Sequence, residues 1–146
     1  MAESTLRDAI LMRLGAIGHS LGGQEALWLA SYDRRVRAAV SSCGFGLMRT
    51  TIRDSINHNY ALYMPGLLGL CNLDALVAKI APHAFLLTAG ETDAIFPIGG
   101  VRALTASAAV AYVERGVPNR FRAVIFPAGH SFPDQVKADA YAFLDR

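Results

Sequence analysis

The sequence predicts an α/β fold, a parallel sheet of about four strands with flanking helices. Three observations predict it. Short apolar or β-branched runs recur along the chain, each bounded by Gly, Pro or charge. Alanine-rich or amphipathic stretches of helical length lie between them. Polar residues of chemical interest cluster just after the apolar runs end. Alternation with connections of this length implies right-handed crossovers, with ligands expected at the carboxyl ends of the strands.

Residues 1–10 contain Glu3 and Asp8 and no basic start, so the apolar run Ala9–Leu14 does not read as a signal peptide. The first strand is expected at Arg13–Ile17 and the first helix at Leu21–Ser31, where Ala26, Leu27, Leu29 and Ala30 supply apolar positions. Arg34, Arg35 and Arg37 form the densest basic cluster, too short for a nucleic-acid footprint, and read as a solvated turn into a second strand at Val36–Ser41. Residues 46–79 break the alternation and read as an insertion beside the site. There a polar stretch, Arg49–Asn59, precedes a bulky apolar group of Tyr60, Leu62, Tyr63, Met64, Leu67 and Leu68, which either covers a sheet end or lines a substrate. Asp74 is the expected N-cap of a helix over Ala75–Ile80. A third strand follows at Ala84–Thr88, then a helix at Gly100–Arg115 ended by Gly116, and a fourth strand at Arg122–Phe126. Ser131 as N-cap, Pro133 in the first turn and Asp134 three residues after the cap open a last helix that runs to Arg146.

A chain of 146 residues fits one domain, residues 1–146, and buries roughly two-thirds of its unfolded surface. It is 53% hydrophobic and 18% charged, against about 45–50% and about 25% for an average soluble domain, so the apolar excess needs a place to be buried. The uncharged stretch 59–73 is interrupted by Pro65 and Gly66 and falls short of the roughly 18 apolar residues of a spanning helix. A soluble, cytoplasmic protein without membrane or nucleic-acid partners is expected. Cys43 and Cys71 lack metal-ligand spacing and read as reduced thiols, Cys43 as a small core residue.

Gly18-His19-Ser20-Leu21-Gly22-Gly23 lies where the first strand meets the first helix and has the pattern Gly-x-Ser-x-Gly of a nucleophile elbow. Chance alone produces that pattern with a probability of about 5% in such a chain, so its strand-turn-helix setting carries the weight. A serine there sits in a strained turn with its hydroxyl exposed, the glycines let the two backbones approach, and Leu21 offers a backbone N–H to an oxyanion. A serine nucleophile needs a base, and the base an orienting carboxylate. His130 follows the fourth strand and Asp93 the third, which puts Ser20, Asp93 and His130 at one sheet edge in the order Ser, Asp, His. Glu91 is a rival acid. His19 is expected to point away from the nucleophile, and His58 and His83 to be bystanders.

With these residues the chain resembles the C-terminal half of an α/β-hydrolase, nearest to dienelactone-hydrolase-like and prolyl-oligopeptidase-like members. The resemblance rests on Arg13-Leu-Gly-Ala-Ile-Gly-His-Ser-Leu-Gly-Gly23, on Val40-Ser-Ser-Cys-Gly-Phe45, and on Phe126-Pro-Ala-Gly-His-Ser-Phe-Pro133 running into Ala140-Tyr-Ala-Phe-Leu144. A dienelactone hydrolase proper would carry cysteine where this chain has Ser20. A full-length member would have further strands before the elbow and a loop with a second oxyanion donor, whose loss typically costs about 10²–10³ in rate. The expected fold is therefore a truncated α/β-hydrolase with an open edge at Leu14–Gly18, which invites a homodimer or larger homo-oligomer.

The expected function is hydrolysis of small short-chain acyl esters through a Ser20-His130-Asp93 triad, with Leu21 N–H at the oxyanion and no metal or organic cofactor. The alternatives are a weakly active or non-catalytic remnant serving as an interaction module, and a serine peptidase or amidase.

Overall fold

The computed structural model describes residues 14–54, 58 and 63–145. The elements in order are β1 (Leu14–His19), α1 (Leu21–Tyr32), β2 (Val36–Ser42), α2 (Met48–Asp54), α3 (Leu67–Leu70), α4 (Leu73–Ile80), β3 (Ala84–Gly90), α5 (Ile98–Glu114), a 3₁₀ turn at Pro118–Arg120, β4 (Phe121–Phe126) and α6 (Asp134–Leu144). The four strands form one sheet in the order β1-β2-β3-β4, every neighbouring pair parallel. The sheet with flanking helices is the expected one.

Strand alternation divides the core into two layers. Phe85, Leu87 and Ala89 of β3 face one side and pack with Leu27 and Ala30 of α1, Val77 and Ile80 of α4, and Val101, Leu104 and Ala108 of α5. Ala84 and Leu86 face the other and pack with Val40 of β2 and with Ala140 and Phe143 of α6. All seven residues of β3 are buried, as a parallel strand covered on both faces requires. The apolar excess of the composition is spent here.

Several boundaries differ from the sequence reading. β1, β2 and β3 extend past their apolar runs to His19, Ser42 and Gly90, because the backbone ladder continues through polar and glycine residues: His19 pairs with Ser42, Ser42 with Thr88, and Gly90 with Phe126. Arg13, the expected start of the first strand, lies outside the described residues. α5 opens at Ile98 rather than Gly100, since the Pro97 carbonyl already accepts from Gly100 N at 2.9 Å. The last helix opens at Asp134 with Pro133 at its cap position. Ser131 does not cap it, because its hydroxyl turns back to the Gly129 carbonyl at 3.4 Å.

The expected insertion at 46–79 holds α2, α3 and α4, and α4 is the crossover helix that returns the chain to β3. Of its bulky residues Leu67 is buried and Tyr63 and Leu68 pack against the core, so these cover the sheet, while Met64 is exposed. Tyr60 and Leu62 lie outside the described residues. Asn72, not Asp74, caps α4. Its Oδ1 accepts from Leu73 N and from Met48 N, both at 2.8 Å, tying the starts of α4 and α2 together. Asp74 stands in the first turn and accepts from the Ser107 hydroxyl at 2.6 Å. Asn72→Ala is expected to lower stability by about 1–2 kcal/mol, read from chemical denaturation, with Asp74→Ala costing less.

Among the described residues β1 is hydrogen-bonded to β2 alone, and no helix is long and apolar enough to cross a membrane.

Candidate active site

The elbow forms because β1 ends and α1 begins with one residue between them. That residue, Ser20, has φ 56° and ψ −120°, a conformation that costs a non-glycine residue of order 1–3 kcal/mol. Three backbone bonds hold it there: Ser20 N donates to the Ser42 carbonyl at 2.9 Å, and the Ser20 carbonyl accepts from Gly23 N at 2.9 Å and Gln24 N at 3.2 Å. The hydroxyl is thereby held at the carboxyl edge of the sheet. The N–H groups of Leu21 and Gly22 precede the first helical carbonyl acceptor, as the opening donors of any helix do.

The other two residues arrive on the loops after β3 and β4, and those loops are stitched to each other. Glu91 N donates to the Phe126 carbonyl at 2.9 Å and Thr92 N to the Ala128 carbonyl at 3.1 Å. Asp93 is buried, and its Oδ1 accepts from Ile95 N at 2.8 Å and Phe96 N at 3.2 Å in a turn of its own chain. Its Oδ2 faces His130 Nδ1 at 2.9 Å, and His130 Nε2 faces the Ser20 hydroxyl at 2.8 Å. A carboxylate can only accept, so Nδ1 carries the imidazole proton and Nε2 is left to accept from Ser20. The structure thus brings together all three residues named from the sequence. Glu91, the rival acid, is exposed and paired with Arg102 at 2.9 Å.

A nucleophile elbow after β1, an acid after β3 and a histidine after β4 stand at the carboxyl end of one parallel sheet. The chain carries part of an α/β-hydrolase fold. No protein-family model matches it. It is 28% identical over 138 residues to YtaP of Bacillus subtilis (strain 168), whose designation as a hydrolase is itself provisional, and the match covers 92% of this chain and 46% of that protein. Among solved structures it is similar to a carbohydrate esterase family 15 glucuronoyl esterase from Caldicellulosiruptor kristjansonii, with TM-score 0.73 and 18% identity over 90% of this chain and 42% of that one. A promiscuous esterase of the same carbohydrate esterase family from a marine bacterial metagenome gives TM-score 0.77 and 16% identity, covering 99% of this chain and 46% of that one. The Pyrococcus horikoshii acylaminoacyl peptidase gives TM-score 0.66 and 16% identity over 99% and 25%. The chain spans less than half the length of each.

Two glycines make this part of the α/β-hydrolase fold possible. A Cβ on Gly18 would collide with the backbone of Gly22, and one on Gly90 with the carbonyls of Gly129 and Ala128. Backbone cannot yield as a side-chain tip can. Gly90→Ala is expected to push the His130 loop off β3 and lower any activity that uses His130 by roughly 10²-fold, with a measurable loss of thermal stability.

Three residues near Ser20, Asp93 and His130 make contacts that the sequence pattern does not display. Cys43 is buried as expected, but its backbone has φ 45° and its thiol donates to the Ser131 carbonyl at 3.5 Å. Ligating atoms of Cys43, Asp93 and His130 lie within 4.8 Å of one another, the one metal-type grouping of three found among the described residues. Both His130 ring nitrogens are already engaged by Asp93 and Ser20, and burial pushes the Cys43 thiol pKa up, so the grouping reads as packing beneath the triad. His19, expected to point away from the nucleophile, lies beside His130. Its ring centroid lies 4.9 Å from that of His130. His58 Nε2 donates to the Ile95 carbonyl at 3.1 Å, and its ring packs 4.9 Å from Phe96, which in turn packs 6.0 Å from His130. His83 is remote from the site at the opposite end of β3, its carbonyl accepting from the Tyr112 hydroxyl.

Proposed function

We propose that the protein is a carboxylic ester hydrolase acting on small short-chain acyl esters by way of an acyl-enzyme. The observation that carries this reading is the continuous chain from Asp93 Oδ2 through His130 to the Ser20 hydroxyl, with bonds of 2.9 and 2.8 Å and a strained serine at its head. His130 Nε2 takes the Ser20 proton as Oγ attacks the acyl carbon, and the carbonyl electron pair moves to its oxygen beside Leu21 N–H. Collapse of the tetrahedral species breaks the ester C–O bond, and the leaving alkoxide takes the proton from His130. Water then repeats the sequence against the acyl-serine, returning acid and free enzyme. Asp93 stabilises the imidazolium formed in each half.

The likeness to esterases and to a peptidase is one of fold, and ester over amide is the narrower part of this reading.

The test is turnover of p-nitrophenyl acetate, p-nitrophenyl decanoate and a matched acetyl anilide, with intact-mass labelling by a serine-directed phosphonate. Expected are acetate faster than decanoate, no measurable anilide cleavage and one phosphonate adduct per chain. Anilide cleavage at a comparable rate would move the reading to an amidase. No adduct and background rates would leave an interaction module that keeps the three residues without using them.

The same reading includes a homodimer formed at the β1 edge, whose outer backbone groups pair with no strand among the described residues. Sedimentation velocity is expected to give twice the 15.7 kDa chain mass, and a monomer at all concentrations would remove this part of the proposal.

A further inference from the structure

We infer that His19 is a positioning residue for His130, its ring fixing the tilt at which His130 spans Ser20 and Asp93. The inference rests on the hydrolase reading and deepens it. Ile17 faces the α6 side of the sheet, so His19, two residues on, faces the same side. The parallel register lines His19 up with Ser42 and Ser42 with Thr88, which makes a polar row across the ends of three strands.

His130 and Phe132 stand over this row. The His19 ring stacks on Phe132 at 5.8 Å and 15°, and meets His130 at 4.9 Å and 43°. Its Nδ1 approaches the Ser42 hydroxyl at 3.4 Å, a long hydrogen bond. His19 is therefore held on two sides and touches His130 on a third. Because it is the residue before Ser20, the same strand end that presents the nucleophile also presents the surface against which the base rests.

The chemistry of the neighbours suits a neutral ring. Burial lowers the His19 pKa most, followed by the charge of His130, while Asp93 and a backbone hydrogen bond with Ser42 oppose the shift and Lys137 adds to it. Near neutral pH His19 thus puts no positive charge beside His130 when the latter becomes an imidazolium. A flat uncharged ring is what the position uses.

The test compares His19→Ala, His19→Leu and His19→Phe by kcat and KM on p-nitrophenyl acetate, and by the far-downfield proton resonance of His130 Nδ1–H in NMR. Phe keeps the flat ring, Leu keeps bulk without it, and Ala removes both. Expected are kcat values lowered by roughly 10- to 100-fold in Ala and Leu with KM unchanged, and a resonance that broadens or shifts. His19→Phe is expected to stay within about threefold of wild type with the resonance retained. Unchanged kcat and resonance in the folded Ala or Leu variant would overturn the inference, as would a loss in Phe equal to that in Leu. Where the wild type itself shows no turnover, the hydrolase reading fails and the resonance alone decides whether His19 braces His130.

Discussion

Ser20→Ala is expected to reduce p-nitrophenyl acetate hydrolysis to background, a loss of roughly 10⁶-fold in kcat if the three residues act as a unit. The substitution removes only Oγ. The three backbone bonds that hold residue 20 between β1 and α1 do not involve the side chain, so the elbow itself stays in place. Alanine pays the same order of strain at φ 56° as serine does. Thermal melting should therefore move little while turnover vanishes, and that separation marks a chemical role. Equal rates in Ser20→Ala and wild type, both above the buffer, would mean that another group hydrolyses the ester and that Ser20 is ornamental.

Asp93→Asn is expected to cost about 10⁴-fold in kcat with the fold intact. An asparagine Oδ1 can still accept from Ile95 N and Phe96 N, so the turn after β3 survives. Its amide NH₂ then faces His130 Nδ1, where the carboxylate had accepted. The imidazole must answer with the other tautomer, protonated at Nε2, and loses its capacity to take the Ser20 proton. Glu91→Gln is the matched control. Glu91 is exposed and paired with Arg102, so its loss should leave the rate unchanged, and a large loss there with none in Asp93→Asn would exchange the two assignments.

Much of this site was legible because the α/β plan sends strand ends to one edge. Ser20, Asp93 and His130 each follow an apolar run, and three residues that share an edge and a chemistry constrain one another. The details that escaped depend on contacts far apart in sequence. Asn72 is recognisable as the cap only once Met48 N, 24 residues earlier, is seen bonded to it. Ser131 has the sequence of a cap, yet Pro133 delays the helix and the hydroxyl finds Gly129 instead. The contact of His19 with His130 escaped for a different reason. The side of His19 follows from the period of β1, but with β1 expected to stop at Ile17 that period was not carried two residues further. His58 sits in an irregular stretch where no period applies, and its place beside Phe96 has no local signature.

The backbone bonds divide the three residues between two pairs of strands. Ser20 is tied to β2 through the Ser42 carbonyl, whereas the Asp93 and His130 loops are tied to each other through Phe126 and Ala128. Acid and base therefore travel as one block and the nucleophile as another, with the seam along β2 and β3, closed at its end by Cys43 N on the Thr88 carbonyl at 2.8 Å. Loosening that seam lengthens the bond between His130 and Ser20 while leaving the one between Asp93 and His130 untouched. On the ester-hydrolase reading, activity should fall together with the β2–β3 ladder, while the Asp93–His130 pair, carried on β3 and β4, outlasts it.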